Sequence, residues 1–200
     1  MHLGPFAASL ALSIAFLTGC AGQPGQAGQP PTTSAAPPAA SASLTNAEPA
    51  TPSRCSAAEY HQLDFRVGTW DMRDLAGKLQ GTNVFTRELD GCALQQRWTS
   101  AEDPQVGVSY SGYDARTKRW YHHWIDNWAN SLSIQGGWSA ERGRMEMTGE
   151  RTALDGKSVL ERVIVTPLEP GKVRVLWDYS PDGGKTWKVR FEGIETRRKP

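Results

Sequence analysis

The sequence predicts an all-β domain: a single up-and-down antiparallel β-barrel of about 8–10 strands with a short N-terminal helix. Three observations predict it. Turn signals built on Gly, Asp, Asn and Pro recur from Gly77 to Gly184. Between them apolar and polar residues alternate with period two, the mark of a strand with one buried face. No gap between turns is long enough for a helical crossover, so consecutive strands pair antiparallel.

The elements follow in order. Ser56 to Phe65 reads as the helix, with Ser56 as N-cap, Glu59 three positions on, then Tyr60, Leu63 and Phe65. Turns follow at Gly77, Asp90-Gly91, Asp103-Pro104, Asp114 to Thr117, Asn127 to Asn130, Glu141 to Gly143, Asp155-Gly156, Pro170-Gly171 and Asp182-Gly183-Gly184. From Gly91 on, their spacing is roughly 12 to 14 residues, a strand of about 8 residues plus a turn. The alternation is clear in three stretches. Val173, Val175, Trp177 and Tyr179 oppose Arg174, Leu176, Asp178 and Ser180; Met145 and Met147 oppose Arg144, Glu146 and Thr148; Trp187, Val189 and Phe191 oppose Lys188, Arg190 and Glu192. An open meander of this length would leave two exposed edges, so closure into a barrel is expected, with room for a small cavity rather than an aqueous channel.

Composition narrows the function. The chain has 200 residues and a net charge of +1, which provides no electrostatic footprint for nucleic acid and no polybasic membrane tether. The mean hydropathy of −0.51 excludes a polytopic membrane protein. All eight Trp lie between Trp70 and Trp187.

The first 54 residues differ from the rest. Only Glu48 and Arg54 are charged before Cys55. Phe6 to Leu17 is a short apolar run, too short to span a bilayer, and it ends in Leu17-Thr18-Gly19-Cys20. This resembles the bacterial lipobox, although the leader has His2 and no Lys or Arg. The resemblance implies a signal peptide over residues 1–19, a lipidated Cys20 as membrane anchor and mature N-terminus, and a place in the cell envelope. Ala21 after Cys20 implies the outer membrane. The alternative is an ordinary signal peptide that happens to contain a Cys. Residues 21–54 consist mainly of Ala, Pro, Gly, Gln, Ser and Thr, which cannot bury enough surface to offset ordering entropy. They read as a tether, leaving residues 55–200 as the barrel domain. Cys55 and Cys92 remain. In the oxidising compartment that the lipobox implies they form a disulfide, worth about 4 kcal/mol in the chain-entropy model. The alternative is two buried thiols.

Asp64-Phe65, Gly68-Thr69-Trp70, Gly91-Cys92, Trp120…Trp124-Ile125-Asp126 and Asp182-Gly183-Gly184-Lys185-Thr186-Trp187 occur in that order. The set resembles the lipocalin and wider calycin group. It is most similar to a bacterial lipocalin-like family with a D-F-x-x-G-x-W start, and the similarity spans Cys55 to Arg197. Two positions depart from that pattern: Arg66 stands where a bulky apolar residue is usual, and His122 where Gln is usual. The resemblance implies a structural role for Gly68, for Trp70 at the closed end of the barrel and for Arg197, or else Arg198, stacked over the indole.

Trp120, His122, Trp124 and Asp126 share one strand face, opposite Arg119, Tyr121, His123 and Ile125. Either they wall a ligand cavity, with His122 and Asp126 orienting a small hydrophobic or amphipathic molecule, or the indoles merely fill the barrel. Trp177 and Trp187 complete an aromatic wall if their strands present the same face. Metal is not expected. His122 and His123 point to opposite faces, and His122 and Asp126 lie ~13 Å apart along a strand. The haem-binding calycins use a His near the C-terminal end, and no His follows His123. No cofactor is implied. Ser180 to Trp187 also fits the Asp-box of sialidase propellers, but a propeller needs one box per blade and here there is one. No nucleophile elbow, zincin motif or phosphate-binding loop occurs. The expected function is therefore a lipid-anchored carrier of a small hydrophobic molecule. The rivals are a filled-barrel interaction module of the envelope and an enzyme using His122 and Asp126.

Overall fold

Nine turns fold the chain back on itself, and each falls where a turn signal stands in the sequence. A computed structural model describes residues 53–153 and 155–199. The leader over residues 1–19, lipidation of Cys20 and the tether as far as residue 52 lie outside the described residues. The strands are β1 (Gly68–Asp74), β2 (Leu79–Glu88), β3 (Ala93–Ser100), β4 (Val106–Asp114), β5 (Arg119–Asp126), β6 (Ser131–Ser139), β7 (Arg144–Thr152), β8 (Ser158–Glu169), β9 (Lys172–Ser180) and β10 (Lys188–Arg197). Aspartates set many of the turns. Asp74, Asp103, Asp114, Asp126 and Asp155 each accept a hydrogen bond from the backbone N–H two residues on. All pairings are antiparallel, neighbours pair in chain order, and β1 pairs with β10. The sheet is a closed barrel and has no free edge.

The predicted helix is present as two short 3-10 segments, Ala58–His61 and Asp64–Arg66. Ser56 does not cap it: Ala57 holds the N-cap position and no side chain bonds there. Cys55 and Cys92 are joined by a disulfide, with their Cα atoms 5.0 Å apart and a sequence separation of 37. It ties the segment before the barrel to the β2–β3 turn. Replacing both cysteines by Ala is expected to lower stability by about 2–4 kcal/mol; a urea midpoint unchanged from wild type would show that the bridge constrains nothing.

Side chains pointing inward fill one half of the barrel. Trp70, Phe85, Leu94, Trp120, Met145, Val165 and Val173 form its core, and Leu63 from the 3-10 region plugs that end. Trp70 is 1% exposed and its indole N–H donates to the Arg66 carbonyl at 2.6 Å. The Arg197 guanidinium lies 4.5 Å from the Trp70 ring centre and donates to the carbonyls of Phe65 and Val67. Arg198 instead pairs with Asp71, so Arg197 is the covering residue. Gly68 has φ +127°, and a Cβ there would lie 2.5 Å from Arg197 Nη1. Only glycine permits both the turn into β1 and the stacked arginine.

The alternation expected for Trp187, Val189 and Phe191 breaks. Val189 pairs with Asp178 and Phe191 with Trp177, so Arg190 is an extra residue in a β-bulge. Val189 is turned out, 60% exposed, while Phe191 and Arg190 both reach the lumen. Period two failed because a bulge adds one residue to one strand only.

Candidate ligand cavity

The other half of the barrel is hollow. A cavity of about 540 Å³ opens where β3, β5 and β7 end. That volume suits a small organic molecule. Its wall is mainly apolar: Trp98, Trp124, Leu132, Val163, Trp177 and Phe191. Trp124 on β5 lies across Gly107 of β4, where an added Cβ would come within 2.2 Å of the ring. Glycine at that position gives the indole its place.

Polar groups sit at two levels. At the floor, one Arg66 nitrogen donates to both oxygens of Glu195 at 2.6 Å. Glu195 is completely buried and also accepts from Asn83, which accepts from Gln96, which accepts from Ser109. Arg66 lies 4.0 Å over the Phe85 ring, and its Nε has no partner among the described residues. Beside this chain His122 shares a hydrogen bond with Ser111 at 2.9 Å. At the mouth, Glu161 has no exposed surface and receives Arg151, Arg190 and the Trp177 indole N–H.

The residues expected at the site separate. His122, Trp124, Asp126 and Trp177 line the cavity. Trp120 points inward but is 1% exposed at the closed end, where its N–H donates to Gln62 at 2.9 Å; its place is corrected from wall to core. Trp187 is corrected from lumen to outer surface. It precedes β10, and the Arg162 guanidinium stacks 3.8 Å over its ring while pairing with Asp178. Its Asp-box works as a turn. Asp182 accepts from Thr186, Lys185 and Ser180, and these bonds, those of Thr186 first, push its carboxyl down to about 2. Asp126 sits at the rim, where it too is committed locally. Burial pushes its carboxyl up, but bonds from Asn130, Trp124 and Trp128 outweigh that and hold it below its usual range. Among the described residues no three His, Cys, Asp or Glu come together as metal ligands.

Burial first, then the charge of Arg66 and of His123, pushes His122 down from 6.5 to about 3. The imidazole is therefore neutral at pH 7. Between pH 6.5 and about 3 the unfolded chain takes up a proton here that the folded chain refuses, so stability falls as pH falls through that window. The slope from one such group is at most about 1.4 kcal/mol per pH unit. The depressed carboxyls of Asp114, Asp126 and Asp182 lose their contribution as pH falls from the ordinary carboxylate value downward, so the interval from pH 4.5 to 6.5 lies above most of that loss. Urea midpoints measured across that interval are expected to drop on acidification in the wild type and to flatten in His122→Gln. Equal slopes would remove His122 as the cause.

Sequence reasoning missed Arg66, Glu195, Asn83, Arg151 and Arg190 as cavity residues, and Glu161 as the buried acid that holds the two mouth arginines. Arg66 carried a signal, since a charge stood where an apolar residue was expected. Glu161 carried a weaker one: it shares a face with Val159, Val163 and Val165 on β8, and a lone acid on an apolar face asks for a partner. Glu146 and Asp178, which resemble it in sequence, lie outside the barrel with Arg162. No protein-family model matches this chain, and a comparison with curated proteins found no match.

Proposed function

We propose that this protein is a lipocalin-like lipoprotein of the bacterial cell envelope whose barrel carries a small hydrophobic or amphipathic molecule. The observation that carries the reading is the half-hollow barrel. One end is packed with aromatic and aliphatic side chains, and the other encloses about 540 Å³ walled by indoles and aliphatic groups. The polar groups of the floor are largely bound to one another, which leaves apolar contact as the main offer of the inner lumen to a ligand. Anchoring through Cys20, with the outer membrane as its place, follows from the lipobox and is part of the same proposal. Incorporation of a lipid analogue is expected in the wild type and absent in Cys20→Ala; labelling of that variant would end the anchor assignment.

The neutral dye Nile red tests the cavity. It is expected to bind the purified, detergent-free protein with a blue shift and to quench Trp emission. Trp124→Ala is expected to weaken binding by about tenfold, a loss of roughly 1.4 kcal/mol of apolar contact. Tyr121→Ala, on the outer face of the same strand, leaves it unchanged. A folded protein that does not take up the dye would favour a filled-barrel interaction module.

A further inference from the structure

The two buried carboxylates of the lumen have unequal company. Glu195 faces one guanidinium, that of Arg66, and the floor is neutral. Glu161 faces two. Arg151 reaches one of its oxygens at 2.8 Å and Arg190 at 3.0 Å. This pair has one positive charge more than the carboxylate it shares. Three other carboxylates line the same cavity, and each has partners elsewhere: Glu102 pairs with Lys78, Asp126 accepts from Asn130 and the Trp124 indole, and Asp103 accepts from the Gln105 backbone N–H. Asp182, in the β9–β10 turn, is saturated by its own loop, and Lys188, paired in register with Tyr179, adds positive charge. The Arg151 and Arg190 side chains are 31% and 30% exposed, and both residues line the cavity. The Nη1 atom of each has no protein partner among the described residues.

Arg190 owes its position to the bulge. In a regular strand it would lie opposite in face to Phe191 and point away from the lumen. The extra residue brings it inside, over the Tyr179 ring at 4.1 Å and against Glu161. A bulge interrupts the ladder and often re-aims a side chain beside a site. Glu161 holds both guanidiniums in place, and Trp177 in turn holds Glu161 at 2.7 Å. The apolar wall of Trp177, Phe191 and Val163 begins directly below.

We propose that the mouth binds the carboxylate head of a single-chain amphipathic molecule between Arg151 and Arg190, with its apolar tail in the lumen. Two guanidiniums that share one carboxylate keep N–H donors for a second, and their planar forks match a carboxylate. The proposal deepens the carrier reading and rests on it.

The test is displacement of Nile red from the purified protein at pH 8 by dodecanoate, 1-dodecanol and dodecyl phosphate, which share one tail. Dodecanoate is expected to displace the dye at a concentration about tenfold or more below that of dodecanol, as for a charge-assisted contact. Arg151→Gln and Arg190→Gln are each expected to shrink that ratio to about twofold. Arg174→Gln, which removes a charge from the outer surface where Arg174 pairs with Glu192, is expected to keep it. Equal displacement by acid and alcohol would overturn the anion site and leave the carrier reading standing. Tighter binding of dodecyl phosphate would replace the carboxylate by a phosphate head. An unchanged ratio in both folded arginine variants would refute the residue assignment. Absence of Nile red binding, with no dodecanoate binding by calorimetry, would overturn the carrier reading and this inference with it. The wild-type comparison needs no variant, so it decides even where a glutamine variant fails to fold.

Discussion

Trp70→Ala is expected to destabilise the barrel by about 3–5 kcal/mol, the cost of truncating a large aromatic side chain in a packed core. Three things are lost together. The ring itself leaves a void in the core cluster that also holds Leu63, Phe85 and Val173. The Arg66 carbonyl loses its indole donor. Arg197 loses the face on which it stacks, and with it the clamp on the Phe65 and Val67 carbonyls. Phe at this position should recover much of the packing but not the hydrogen bond. The measurement is the urea midpoint, with Nile red affinity measured under conditions where the variant is folded. Because Trp70 does not line the cavity, stability should move far more than affinity. A variant as stable as wild type would mean that Trp70 does not close the barrel.

The second large effect is expected at the floor. Glu195→Leu should cost about 3–5 kcal/mol, because it strands a buried guanidinium without its counter-charge. Arg66 is 9% exposed, so little of its guanidinium can be solvated in place of the lost carboxylate. Asn83 would lose its acceptor as well. Arg66→Met should be similarly costly, leaving the carboxylate unpaired. The combination Arg66→Met with Glu195→Leu should recover most of the loss, since an apolar pair of similar volume carries no desolvation penalty. Urea midpoints of the four proteins form the cycle. Additive losses would show that the two side chains do not act as a unit.

The sequence made the barrel legible because the signals for it are local. Turn aspartates and glycines act within four residues, and period two is read within one strand. Cys55 and Cys92 were legible as a pair because two cysteines remain after Cys20 and the lipobox implies an oxidising compartment. Trp70 and Arg197 were legible through resemblance, since 127 residues separate them. The cavity was legible in part. His122, Trp124, Asp126 and Trp177 point where the alternation sends them. Trp120 does too, but alternation fixes the face and not the depth, and depth decides whether an indole is wall or core. Trp187 and Arg190 failed for a shared reason: the strand begins after the first and bulges at the second. The polar groups of the lumen were hidden because their partners are remote. Glu195 meets Arg66 across 129 residues and Asn83 across 112. One sequence holds no pattern that joins them.

Barrel closure has a consequence in time. Nine of the ten strand pairings join neighbours in the chain and can form as each hairpin emerges from the ribosome. The tenth, β1 with β10, cannot form until the last strand has been made. The same strand supplies Glu195 for the buried Arg66 and Arg190 for the mouth. Until then β1 presents a bare edge, Arg66 has no counter-charge, and the lumen is an open trough. Pairing across so large a sequence separation is also slow, because loop entropy must be overcome before the contacts form. The nascent chain therefore carries an adhesive edge for the whole of its synthesis, and an export route that holds it unfolded until β10 is complete would protect it from aggregation.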